Sequence, residues 1–190
     1  NAPHSPFWAP EMELKEAYAA MEGHELPNFP GVRRDDLAGY FGMILNIDNN
    51  LGRLMSFLED QGLAEDTILI FQTDNGTTFG DRYYPAGMRG RKAQLWEGGH
   101  RVPFFLRWPS GDLGKPRDIG GLTTIQDILP SLLELCDIQP RQTPRFDGVN
   151  LAPVFRDPRN SPPEDRMVVI NYSRLPFGFE YPSPDAPSRM

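Results

Sequence analysis

The sequence predicts an α/β fold: part of a mixed, mostly parallel sheet flanked by helices. Three observations carry that expectation. Residues 35–61 repeat apolar side chains at helical spacing for about seven turns. Thr67-Ile-Leu-Ile-Phe-Gln-Thr73 is a continuous apolar run, the pattern of a strand sheltered on both faces. The segments then follow in the order helix, strand, strand, helix, strand, which suits layers of helix packed on sheet.

Residues 1–34 are rich in Pro, Gly and aromatics and hold one short helix, Glu11–Met21. The long helix follows. Its apolar side is marked by Leu37, Tyr40, Phe41, Ile44, Leu45, Ile47, Leu51, Leu54, Met55 and Leu58. Asp35 and Asp36 stand at its start, where the helix dipole favours negative charge, and Gly62 is placed to end it. Asp48 falls within the apolar stripe, so a buried hydrogen-bonding role is expected for it. After the strand at 67–73 comes a glycine-rich loop, Asp74–Gly99, and then a second strand, Val102–Trp108. Pro103 lies near that strand's start, where a missing donor is tolerated. A second amphipathic helix is expected over Thr123–Cys136, capped by Thr123 or Thr124 and bent or bounded at Pro130. Cys136 then reads as a small buried hydrophobe. Arg166–Tyr172 is the third strand.

Composition narrows the function. The chain has 190 residues, 39% hydrophobic and 24% charged, enough for one domain with a substantial core. Its 19 basic and 26 acidic residues leave a net charge of −7, which argues against a nucleic-acid groove or an anionic membrane surface. No run reaches the roughly 18 apolar residues of a membrane span. The single cysteine excludes an internal disulfide framework and a Cys-rich zinc site, and leaves the compartment open. Asn1-Ala2-Pro3 has no initiator methionine and reads as cut from something longer.

Several short segments could carry chemistry. Asp74-Asn75-Gly76 directly follows the first strand, and sites in open α/β sheets gather beyond the strands' carboxyl ends. A carboxylate and an amide oxygen are hard donors suited to calcium or magnesium, although Asn-Gly is also a common turn. Arg89-Gly90-Arg91-Lys92 concentrates three cations on a glycine-hinged loop, suited to a tetrahedral oxyanion or simply to solvent. Glu97-Gly98-Gly99-His100 suggests close backbone approach, with His100 more naturally a supporting or surface residue than a ligand. His4, set between Pro3 and Pro6, could donate to a substrate oxygen or act as an acid. His24 offers nothing beyond a loop histidine. Tyr83, Tyr84 and Trp96 could stack on a sugar or aryl ring, or pack.

Taken together, Asn1-Ala-Pro-His-Ser-Pro6, Asn46-Ile-Asp-Asn-Asn-Leu-Gly-Arg53, the strand ending Asp74-Asn-Gly76, Gly87-Met-Arg-Gly-Arg-Lys92 and Trp96-Glu-Gly-Gly-His-Arg-Val-Pro103 resemble the second half of a sulfatase catalytic domain. Thr124-Ile-Gln-Asp-Ile-Leu-Pro130 and Phe146-Asp-Gly-Val-Asn-Leu-Ala-Pro153 extend the resemblance over residues 1–155, with 156–190 as a partly extended start of a C-terminal subdomain. The resemblance implies an alkaline-phosphatase-like sheet truncated at its N-terminal side. It implies sulfate-ester hydrolysis through a formylglycine nucleophile and a divalent metal, calcium or magnesium. Asp74 and Asn75 resemble the family's late metal ligands, Lys92 its sulfate-contacting lysine and His4 its sulfate-binding histidine. The expected substrate is a sulfated carbohydrate or an aryl sulfate, with no nucleic acid and no membrane span, in a periplasmic or secreted setting. One departure matters: the Cys/Ser-x-Pro-x-Arg motif that yields formylglycine is absent. Asp185-Ala-Pro-Ser-Arg189 has its ending, but an aspartate cannot become formylglycine. The chain alone is therefore expected to be inactive, and an exposed sheet edge to favour self-association. A metal-dependent phosphoesterase or phosphonate hydrolase of the same superfamily, and an inactive relative acting as a binding module, are the alternatives.

Overall fold

The computed structural model describes residues 3–22, 32–78, 80–142 and 145–169. The chain forms two compact units. One comprises Asn1–Ala64 and Thr77–Arg89; the other comprises Glu65–Gly76 and Gly90–Met190.

The first unit is built on two helices, α1 (Glu11–Met21) and α2 (Arg34–Asp60). α1 has the bounds expected of the short helix, and α2 follows the periodicity of residues 35–61. Met21, Leu37 and Ala38 form the buried centre, with Phe7, Leu14, Tyr18, Val32, Tyr40, Phe41 and Tyr83 packed around it. Two glycines of α2 let the incoming chain lie directly on the helix. A Cβ on Gly39 would stand 2.3 Å from the Phe7 carbonyl oxygen, and one on Gly42 would stand 2.6 Å from Ala9 Cβ. α2 ends in a Schellman turn: Gly62, at φ +66°, donates to the Glu59 carbonyl at 3.0 Å, and Leu63 donates to Leu58 at 2.8 Å. Asp48 is exposed, contrary to the expectation for it. The apolar stripe is broad enough that its margin reaches solvent. The buried carboxylate facing α2 is instead Glu13, which accepts from the amides of Asn46 (3.0 Å) and Asn49 (3.4 Å). The Asn46 amide holds that carboxyl below its ordinary pKa against the opposing effect of burial.

The second unit holds the strands β1 (Leu69–Gln72) and β2 (Phe104–Arg107). They pair antiparallel, with Leu69 opposite Arg107 and Gln72 opposite Phe104, and Phe71 sits beside Phe105 at 6.4 Å between ring centroids. A mixed sheet admits such a pair. The side chains of Leu69, Ile70 and Phe71 are half-buried, so the apolar run is less sheltered within this chain than its composition suggests. Beyond β2, Ser110 closes the turn: its amide donates to the Glu65 carbonyl at 3.0 Å and its hydroxyl to Asp66 at 2.7 Å.

After α3 (Glu97–His100), a single turn, the helical region at 123–136 resolves into a 3-10 turn at Ile125–Asp127 and the helix α4 (Ile128–Leu135). Thr124 is the cap, and its amide donates to Asp127 Oδ2 at 2.7 Å. Pro130 lies in the first turn of α4, where no amide partner is needed, so it neither bends nor ends the helix. Cys136 is exposed rather than buried because α4 ends at Leu135 and the chain turns away there. A last short helix, α5 (Ala152–Arg156), follows. Residues 166–169 of the expected third strand are not strand, and Met167 and Val169 are exposed; residues 170–172 lie outside the described residues. Arg166 there turns inward to Asp127, a partner 39 residues away in sequence.

That pairing organises the end of this unit. Arg166 donates Nη1 to Asp127 Oδ2 and Nη2 to Oδ1, each at 2.6 Å, while Val149 N–H reaches Oδ1 at 2.9 Å. Ser131 continues the network, donating to the Asp127 carbonyl at 2.5 Å and accepting from Leu151 N–H at 2.8 Å. Burial by itself would raise the Asp127 carboxyl; Arg166 and the amides of Val149 and Thr124 more than reverse this and hold it below its ordinary value. No helix among the described residues is long and apolar enough to cross a membrane.

Candidate active site

The candidate residues are positioned by β1 and by the loop that precedes β2. β1 ends at Gln72, and Asp74 and Asn75 follow in a bend; Asp74 is exposed and Asn75 half-buried. Thr73 steadies the bend by donating its hydroxyl to the Asn75 carbonyl at 3.3 Å. Gly76 then makes the close approach. Its amide donates to the Gly99 carbonyl at 3.0 Å, and a Cβ there would stand 1.8 Å from the Gly98 carbonyl oxygen. No other residue fits that contact. The close approach expected of Gly98-Gly99 is thus present, and its partner is the segment that carries Asp74 and Asn75.

Gly99 extends the same seam toward Lys92. A Cβ on Gly99 would stand 2.2 Å from the Gln94 carbonyl oxygen and 2.8 Å from that of Arg91. Residues 91–94 form a turn closed by a 3.0 Å bond from Gln94 N–H to the Arg91 carbonyl. Lys92, half-buried, and Ala93, at φ +67°, are its central residues. A left-handed alanine costs about 1 kcal/mol, and such strain is found where a loop must hold one shape. The Gly76, Gly99 and Arg91–Gln94 backbones therefore connect the strand end to the lysine's turn within one unit.

His4 belongs to the other unit. It is exposed, and its Nδ1 lies 2.7 Å from the Ser5 carbonyl oxygen. A carbonyl can only accept, so Nδ1 carries the proton and Nε2 is the acceptor nitrogen of the neutral ring. His100 directs Nε2 at the Leu95 carbonyl, 3.1 Å away, and so supports the loop as expected. His24 and Asp185–Arg189 lie outside the described residues. Of the aromatics, Tyr83 is taken up in packing, edge-on to Phe41 at 5.6 Å, with burial raising its phenol pKa. Tyr84 and Trp96 are exposed.

Among the described residues no three His, Cys, Asp or Glu side chains gather as a metal cage. Asp74 and Asn75 have the donor chemistry of a calcium or magnesium site, and together supply two oxygens where calcium takes about six to eight. Two features of the loop have no signature in the sequence. Gln94 Oε1 accepts the Arg91 amide at 3.1 Å, and Gly90, at φ +83°, leaves room for that side chain.

Mixed helix and a small sheet place the chain in the alkaline-phosphatase fold. A phosphonate monoester hydrolase of Agrobacterium radiobacter shares this fold with a TM-score of 0.57 at 27% identity, covering 76% of this chain and 27% of that one. The family model for sulfatases matches residues 1–138, and the chain belongs to the sulfatase family. An ulvan-active sulfatase of Formosa agariphila is 29% identical over 95% of this chain and 35% of its own length. An N-acetylgalactosamine-6-O-sulfatase of Bacteroides thetaiotaomicron is 35% identical over 57% of this chain and 23% of its own. The chain thus spans about a quarter to a third of the length of these relatives.

Proposed function

We propose that this chain contributes part of the active site of a sulfatase acting on sulfate esters of carbohydrates, with the formylglycine nucleophile and further metal ligands supplied by sequence outside these 190 residues. The observation that supports this most directly is the glycine seam from Gly76 through Gly99 to the Arg91–Gln94 turn, which ties two hard oxygen donors to a lysine-bearing turn. In this reading Asp74 and Asn75 hold a divalent cation, calcium or magnesium. The cation would supply charge to offset what develops on the ester oxygens. Lys92 contacts the sulfate group and the ester oxygen, where its ammonium stabilises the charge on the departing alkoxide. His4 donates to the sulfate from Nε2. Since Nδ1–H is taken by the Ser5 carbonyl, only the imidazolium can make that donation.

The carbohydrate substrate class draws on the names of the relatives, one active on ulvan and one on N-acetylgalactosamine-6-sulfate esters. A second reading, phosphonate monoester hydrolysis, draws on the likeness to the Agrobacterium radiobacter enzyme. One experiment separates them. The gene product carrying this chain is co-expressed with a formylglycine-generating enzyme, mapped by mass spectrometry, and assayed on sulfated polysaccharide, aryl sulfate and phenyl phosphonate. A formylglycine-bearing peptide and sulfate release establish the sulfatase reading. An unmodified protein that cleaves only the phosphonate replaces it with the second, and a protein inert on all three is the binding module.

A further inference from the structure

We propose that Gln94 is a positioning residue for Lys92: its side-chain oxygen clasps the turn that presents the lysine. This deepens the reading above and rests on Lys92 meeting the sulfate group. In the Arg91–Gln94 turn, Gln94 N–H donates to the Arg91 carbonyl at 3.0 Å and Gln94 Oε1 accepts the Arg91 amide at 3.1 Å. Both backbone polar groups of Arg91 are therefore tied to one residue, with Lys92 held between. The turn needs such help. Its third position has φ +67°, where glycine or asparagine is usual and this chain has Ala93.

The surroundings agree with a clasp rather than a chance contact. A Cβ on Gly90 would stand 3.1 Å from Gln94 Oε1 and 2.6 Å from Trp96 Cβ, so glycine there makes room for the glutamine. The Gln94 carbonyl is seated against Gly99, whose own carbonyl takes the Gly76 amide. Gln94 thus links the lysine's turn to the strand end that bears Asp74 and Asn75. A lysine ammonium rides on a flexible four-carbon stem, and fixing its backbone limits the volume it samples. Misplacing a catalytic group by about 1 Å can cost on the order of 100-fold in rate.

The test uses the gene product that carries this chain, with p-nitrophenyl sulfate as probe. Gln94→Met has similar length but no acceptor; Gln94→Glu retains the oxygen. Gln94→Met is expected to lower kcat about tenfold with a smaller change in KM, and Gln94→Glu to recover most of the loss. Because Gln94 acts through Lys92, Gln94→Met costs nothing further in a Lys92→Ala background. Amide hydrogen exchange supplies a readout independent of turnover: Arg91 N–H loses protection in Gln94→Met and keeps it in Gln94→Glu. Equal losses in both backgrounds, or Arg91 exchange indifferent to residue 94, overturn the proposal. Wild-type kcat in Lys92→Ala removes the reading of Lys92 itself, and this proposal with it, even where Arg91 exchange responds to Gln94.

Discussion

Arg166 grips Asp127 with both terminal nitrogens, 2.6 Å to each carboxylate oxygen, across 39 residues of sequence. The pair is nearly solvent-free, with side-chain exposures of 10% for Arg166 and 2% for Asp127. Asp127 also takes the amides of Thr124 and Val149, so one carboxylate closes the 3-10 turn that leads into α4, anchors the 148–151 segment and holds the chain at residue 166. Buried pairs of this kind add little relative to an apolar substitute, but losing one partner strands the other.

Arg166→Ala is therefore expected to cost about 3–5 kcal/mol in urea unfolding, because it leaves a buried carboxylate without its cation. The pH dependence has a definite sign. The folded-state pKa of Asp127 is lowered, so its contribution is present above the unfolded value of about 3.9 and is lost as pH falls through the folded one. The stability gap between wild type and Arg166→Ala should be widest near neutral pH and should close in acid. A gap that widens below pH 4 would show that other groups control acid stability.

Glycines with different surroundings should respond oppositely to alanine. Gly52 lies in the exposed interior of α2 with nothing within 4 Å of an added Cβ, so Gly52→Ala should stabilise by about 1 kcal/mol. Gly39→Ala meets the Phe7 carbonyl at 2.3 Å and should destabilise by about 1–3 kcal/mol. Gly76→Ala would meet the Gly98 carbonyl at 1.8 Å and must part the strand end from the 90–99 loop. It should depress sulfate-ester turnover in the gene product far more than Gly52→Ala does. Thermal unfolding and steady-state kinetics on the three variants decide this.

Legibility in the sequence followed the range of the interactions. α1, α2 and the Gly62 stop could be read because helical period and C-terminal caps are local patterns. The strand cores at 69–72 and 104–107 could be read too, but not their antiparallel pairing, nor the return of Ser110 to Glu65 and Asp66 that accompanies it. The Asp127–Arg166 pair gives no local sign, and for want of it residues 166–169 read as strand. Asp48 lies on the solvent-facing edge of the α2 stripe and Cys136 one residue past the end of α4, so neither exposure shows in the apolar pattern. In the site, Asp74, Asn75 and Lys92 were legible as residue types, and Gly98-Gly99 as a close approach. The contact that joins them, Gly76 on Gly98, is a fact of three dimensions.

The apolar surface left uncovered should make the isolated chain associate. Phe105 is 65% exposed on β2, and Ile44, Leu54 and Phe57 are exposed along α2. Scattered exposed apolar residues are ordinary, but a run along one helix and a bare strand face favour burial. Sedimentation velocity at rising concentration should show oligomers, and adding charge with Phe105→Lys or Phe57→Glu should reduce them. A monodisperse monomer at every concentration would sink the expectation.

Metal dependence tests the two proposed ligands directly. Asp74 and Asn75 supply two donors, so the 190-residue chain should bind calcium no tighter than about millimolar by calorimetry. It should also turn over no sulfate ester. In the gene product, chelation should abolish activity, and added calcium or magnesium should restore it. Asp74→Ala removes the charged donor and should lower kcat/KM by about 100-fold or more, with excess metal recovering only part. Asn75→Asp keeps a hard oxygen and adds charge, so it should retain metal binding while changing the rate. Full activity of Asp74→Ala in chelator would show that the Asp74 bend serves the fold alone. Turnover would then need no divalent cation at all.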